Sequence, residues 1–129
     1  MARLILDSGA VIALAAGQAR ARQFVERALR DRLLIVVPAA VVAETTRGGA
    51  RDAPVNRILH AVHEIPPITE AGAREAGRLL ATANIPNATI DALIVAEAVL
   101  HGPSVILTGD PSDISALAAN HRHVRVHGI

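Results

Sequence analysis

The sequence predicts an α/β fold in three layers, with helices on both faces of a mostly parallel central sheet. Short, continuously apolar runs alternate with longer segments of helical periodicity along the whole chain. The apolar runs lack the in-out alternation of half-exposed strands, as expected for a parallel sheet covered on both faces. A chain of 129 residues also has the length of one compact domain, so a single domain over residues 1–129 is expected.

The elements follow in order. Arg3–Leu6 reads as a short strand and Ser8–Ala16 as a helix. Arg20–Arg32 is a second helix, with Phe24, Val25, Ala28 and Leu29 spaced for one face. Leu33–Val37 is a strand ended by Pro38, and Ala39–Thr46 a helix stopped by Gly48–Gly49. Ala53–Val62 reads as a helix and His63–Ile65 as a short strand before Pro66–Pro67. Thr69–Ala83 is a long helix capped by Thr69, and Ala88–Leu100 a nearly all-apolar one ending near Gly102. Val105–Leu107 is a strand, Ser112–Ala119 a helix and Val124–Val126 a final strand.

Composition excludes several chemistries. Half of the chain is hydrophobic, almost all of it Ala, Val, Ile and Leu, and Phe24 is the only aromatic of the Phe, Tyr and Trp class. The core is therefore aliphatic, and an aromatic platform for stacking single-stranded bases is not expected. All 13 basic residues are Arg. Without Lys there is no Schiff-base chemistry and no phosphate loop ending in Gly-Lys-Ser/Thr. Without Cys there are no disulfides, thiolate zinc sites or Cys nucleophiles. The net charge of +1 points to no partner by itself. Arg3 and Asp7 interrupt the first apolar stretch, and no run reaches the ~18–20 apolar residues of a membrane span. A cytoplasmic protein with no membrane partner is expected.

Ligands of parallel sheets sit outside the carboxyl ends of the strands. Asp7 directly follows the first strand, in the oily run "LILDSGAVIAL". Asp110 follows "VILTG". Glu44 lies on the helix after the second strand, and Asp91 near the start of "ATIDALIVAEAVL". Asp113 follows Asp110 by one helical turn. Each has a plain structural reading. Asp7 or Ser8 caps the first helix, Asp110 caps the helix opened by Pro111, and Arg47 is an ion-pair partner for Glu44. Caps do not explain Glu44 or Asp91, which lie inside helices.

If the acids converge, a cation must join them. Two carboxylates ~5 Å apart at an effective dielectric of ~20 repel by roughly 3 kcal/mol. Several such pairs protonate or separate unless positive charge sits between them. An all-oxygen donor set selects Mg²⁺ or Mn²⁺ over zinc. The histidines at 60, 63, 101, 121, 123 and 127 stand at no ligand spacing to these acids and read as surface or core residues. Such ions serve phosphate chemistry, activating water and stabilising the leaving oxygen of a phosphodiester.

Four stretches carry a resemblance: "LILDSGAVIAL", "VPAAVVAETTRGG", "IDALIVAEAV" and "VILTGDPSDISAL". Together, in this order and spacing, they resemble the PIN-domain family and, within it, the VapC-type toxins of bacterial toxin–antitoxin pairs. The resemblance covers essentially the whole chain. It implies a three-layer α/β/α PIN-like fold and an Mg²⁺- or Mn²⁺-dependent endoribonuclease that hydrolyses RNA by metal-activated water. The family's acidic motifs fall on Asp7, Glu44, Asp91 and Asp110, as catalytic and metal-binding residues. Thr108 matches a Ser/Thr that often stands two residues before the last acid, and Asp113 an acid found in a subset. The resemblance also implies a homodimer and a cognate antitoxin whose tail blocks the acidic pocket. Its RNA would be transfer or ribosomal RNA. One departure is that Asn87, Ala88 and Thr89 stand where many relatives carry another acid or charged residue.

Arg20, Arg22, Arg27, Arg30 and Arg32 are candidates for steering an RNA backbone, or a solvated helix face. Arg47, in the loop "RGGAR", is better placed for phosphate contact, unless that loop is a plain helix stop. A phosphoacceptor domain would need paired acids after the first strand and a late Lys; Asp7-Ser8 and the missing Lys disfavour it. A DNA-directed nuclease of this fold would usually need a larger chain. A non-catalytic PIN-like binding module is the principal alternative.

Overall fold

A computed structural model describes residues 1–129. Its strands are β1 (Arg3–Leu6), β2 (Leu34–Val36), β3 (Ser104–Thr108) and β4 (Val124–Gly128). They form one sheet in the order β2-β1-β3-β4, and every neighbouring pair is parallel. Seven helices connect them: α1 (Ser8–Ala15), α2 (Ala19–Arg30), α3 (Ala39–Thr45), α4 (Ala53–Ala61), α5 (Glu70–Ala83), α6 (Thr89–Leu100) and α7 (Pro111–Ala118). A 3₁₀ turn, Ala50–Asp52, precedes α4.

The layering follows from strand order. The chain moves from β1 to β2 on one side, then returns past β1 to β3 and on to β4. Right-handed crossovers therefore place the first helices and the later ones on opposite faces. On one face α1 and α2 pack with α3 and α4 leaning on α1; on the other α5, α6 and α7 pack together. The expected α/β/α architecture is thus present, with a sheet that is wholly parallel.

β1 is central, and all four of its residues are buried. Leu4, Ile5 and Leu6 are fully buried, as are Ile94 and Val95 of α6 and Ile106 of β3. α6 lies between α5, α7 and the sheet, so its apolar surface runs all round, as the sequence shows. Arg3 is buried at the amino edge of β1. Its guanidinium bonds the Glu97 carboxylate at 2.8 Å, and His101 bonds the same carboxylate at 2.9 Å.

Two local expectations are corrected. His63–Ile65 is no strand; it contributes a single bridge between Val36 and Glu64. Pro66 and Pro67 follow at once and have no N–H to extend a ladder. Leu29, assigned above to the buried face of α2, is 47% exposed, while Ala21 and Ala28 are buried. Thr69 caps α5 as expected, accepting the Gly72 N–H at 3.0 Å. No helix is long and apolar enough to cross a membrane.

Candidate active site

The parallel sheet delivers β1 and β3 to the same edge, where β1 is followed at once by Asp7 and β3, after Gly109, by Asp110. The backbone N–H of Asp7 donates to the Leu107 carbonyl at 3.2 Å, so Asp7 sits one rung beyond β1, beside the end of β3. The residue is 4% exposed. One oxygen accepts the Ala10 N–H at 2.9 Å, which makes Asp7, not Ser8, the cap of α1. The other accepts the Thr108 hydroxyl at 2.5 Å, and the Gly109 N–H lies 3.2–3.3 Å from the two oxygens. Burial raises the pKa of Asp7, against the opposing pull of its hydrogen bonds to Thr108, Ala10 and Gly109.

Thr108 is fully buried, and its hydroxyl also accepts the Asp110 N–H at 2.8 Å. One side chain therefore spaces Asp7 from Asp110. Asp110 caps α7, its carboxylate facing the Asp113 N–H at 3.5 Å. Pro111 opens the helix where a missing N–H costs nothing.

Asp91 enters from the first turn of α6. Oxygens of Asp91, Asp110 and Asp113 all lie within 4.8 Å of one another. Partial burial, followed by repulsion from Asp110, Asp7, Asp113 and Glu44, pushes Asp91 up to about 6. All four other candidate acids thus lie close enough to act on its charge. None of the five makes an ion pair with a basic side chain. The amino ends of α1, α6 and α7 converge here, and their exposed N–H groups favour negative charge.

Glu44, exposed near the end of α3, accepts the hydroxyl of Ser8, the residue after Asp7. Arg47 is not its partner. The Arg47 guanidinium donates to the carbonyls of Ala43, Glu44 and Thr46, closing the end of α3. The buried Asp52 holds the same loop by accepting the N–H groups of Arg47 and Gly48.

The structure therefore brings Asp7, Glu44, Asp91, Asp110, Asp113 and Thr108 to one edge and turns Arg47 toward backbone carbonyls. Sequence reasoning missed the role of Ser8 and a pair of glycines. A Cβ on Gly9 would lie 2.9 Å from the Gly109 Cα, so only glycines let α1 start this close to the turn after β3. Both lie within two residues of an acid, in "DSG" and "TGD", which is the signal that was available.

A family profile described as PIN domain matches residues 4–120. No curated protein matches the chain. Among solved structures, VapBC2 from Rickettsia felis bound to a promoter DNA fragment is similar at 12% identity and a TM-score of 0.77, covering 100% of this chain and 99% of that one. A toxin–antitoxin complex from Klebsiella pneumoniae is similar at 21% identity and a TM-score of 0.72, covering 98% and 99%. DNA-bound VapBC from Salmonella typhimurium is similar at 14% identity and a TM-score of 0.70, covering 99% and 98%. At these identities the likeness concerns the fold.

Proposed function

This chain belongs to the PIN domain family, and on that premise we propose that it is a divalent-metal-dependent endoribonuclease, the toxin of a VapBC-like toxin–antitoxin pair. The observation that carries the reading is the close set of Asp91, Asp110 and Asp113 beside Asp7 and Glu44, with no cationic side chain among them.

The donor set fits Mg²⁺ or Mn²⁺. It is all oxygen, and the carboxylates repel one another where they stand. Asp7, Asp91 and Asp110 would hold the metal, with Asp113 beside them and Glu44 either binding it or orienting the attacking water. When bound, the metal supplies Lewis-acid polarisation of a water and of the leaving oxygen of a phosphodiester.

The remaining work belongs to the chain. Thr108 fixes the spacing of Asp7 and Asp110 by donating to one and accepting from the backbone of the other. Glu44 receives no backbone N–H and is held by Ser8 alone, which leaves a carboxylate oxygen to accept a proton from water. Asp91, held above the ordinary Asp range by partial burial and then by its acidic neighbours, is protonated more readily than an ordinary Asp.

Toxins in the similar solved structures are held in toxin–antitoxin complexes. A cognate antitoxin is accordingly proposed here, its tail covering the acidic edge, together with a homodimer of the toxin. Calorimetric titration with Mn²⁺ tests the centre directly. Wild type is expected to bind and Asp7→Asn is not, and RNA cut by the loaded protein is expected to carry 5′-phosphate and 3′-hydroxyl ends. A 2′,3′-cyclic phosphate would refute water as the nucleophile. Absence of metal binding by wild type would leave the acids as caps and favour a non-catalytic binding module.

A further inference from the structure

The arginines of α2 do not share one environment. Arg22 pairs with Glu26 at 3.9 Å, whereas Arg20, Arg27 and Arg30 make no ion pair. These three line one open groove of about 490 Å³ together with Phe24 and His127. His127 belongs to β4, which forms the end of the sheet. It stacks on Phe24 with ring centroids 4.4 Å apart. Arg125 lies two residues before His127 on that strand, hence on the same face, and is exposed. α2 thus leaves this face of β4 open and borders it with guanidinium groups. From Arg20 to Arg30 the row runs ~15 Å along the helix axis.

The groove adjoins the segments that carry Asp110. Its neighbouring hollow at the Arg20 end is lined by Leu107, Gly128 and Ile129. Leu107 precedes Thr108, the Ile129 N–H bonds the Thr108 carbonyl at 2.9 Å, and Gly128 abuts Pro111, next to Asp110. One carboxylate, Asp31, borders an adjoining hollow lined also by Leu33 and Val105.

We infer that this groove between α2 and β4 is the track along which the phosphodiester backbone of RNA reaches the acidic edge, an inference that rests on the ribonuclease reading above. An acidic active edge repels a polyanion, so binding energy has to come from cationic surface next to it. Unpaired guanidinium groups in a row supply that contact without reading sequence. A protein partner would want apolar anchors. The exposed large apolar residues, Met1, Ile12, Leu29, Ile65, Ile68 and Leu100, all lie outside the groove.

The test is fluorescence anisotropy with a labelled hairpin RNA bearing a single-stranded loop, in EDTA so that cleavage is silent. Wild type is compared with Arg27→Gln/Arg30→Gln and with a control of equal charge loss, Arg74→Gln/Arg78→Gln, whose arginines pair with Glu70 and Glu75 on α5. The groove pair is expected to raise Kd on the order of tenfold at about 0.1 M salt. It should lower the slope of log Kd against log salt by about 1.4, or about 0.7 per lost phosphate contact. The control should match wild type. Equal binding by the groove pair, an equal loss in the control, no RNA binding by wild type, or displacement by polyglutamate as readily as by unlabelled RNA would each overturn the track. Mn²⁺-dependent cleavage of the same hairpin reads the nuclease assignment separately. Cleavage with an unaffected groove pair sinks the track alone, and groove-dependent binding without cleavage sinks the nuclease alone.

Discussion

Thr108 is the residue on which the acidic edge turns, because one buried hydroxyl serves both Asp7 and the backbone of Asp110. Thr108→Val keeps the shape and removes the bond. The expected cost is about 1.5–3 kcal/mol in urea unfolding, since a buried carboxylate loses a donor. Mn²⁺ affinity should fall roughly tenfold or more by calorimetry, as for other groups that orient metal ligands. Asp91 gives a pH signature. Its folded pKa of about 6 lies above the ordinary 3.8, so the folded state holds this proton more tightly than the unfolded chain. Its contribution to the stability of the ion-free protein is therefore full below about pH 4 and is lost as pH rises through about 6. Asp91→Asn removes that slope. The variant should match wild type near pH 4, exceed it by roughly 1–2 kcal/mol near pH 8 after allowance for partial solvent screening, and bind no Mn²⁺. A wild type that grows more stable than the variant toward pH 8 would contradict the assignment.

At the scale of elements, the sequence displayed most of the fold, since apolar strands and capped helices obey local rules. The strands around Arg3–Leu6 and Val105–Leu107 and the Thr69 cap are where they were expected. Non-local geometry was not legible. Nothing in "HEI" shows that it will form only one bridge, nor that Arg47 will close its own helix instead of pairing with Glu44. Asp7, Glu44, Asp91 and Asp110 were visible because each follows a strand or breaks an apolar helix. The role of Ser8 depends on how α1 meets α3, and the glycine contact on how α1 meets the turn after β3, a hundred residues along the chain. Gly9→Ala should expose that contact. Its Cβ meets backbone, so a loss on the order of 1–3 kcal/mol is expected in chemical denaturation, with weaker Mn²⁺ binding. Gly77→Ala in α5, where nothing lies within 4 Å, should instead stabilise by roughly 0.5–1 kcal/mol. Equal effects at the two positions would mean that the close approach is not constraining.

On the scale of the whole molecule, strand order collects the chemistry. A wholly parallel sheet ends every strand in the same direction, so β1 and β3 place Asp7 and Asp110 side by side, and α6 brings Asp91 down on them. Ion binding should therefore tighten parts far apart in sequence. At about a hundred times its Kd, Mn²⁺ should add roughly 2.7 kcal/mol of stability. That raises Tm by on the order of 10 °C for a chain of this size, read by differential scanning calorimetry. Asp7→Asn should show no such rise.

The convergence of three helix amino ends on the acids bears on the life of the protein before it meets an ion. Backbone N–H groups already serve Asp7 and Asp110, so these two carboxylates have partners within the fold before any cation is bound. A zinc finger, unfolded until loaded, has no such interval. Under the metal-dependent reading proposed above, loading would be a separate, later event, one that the divalent-ion supply could grant or withhold from a protein already made.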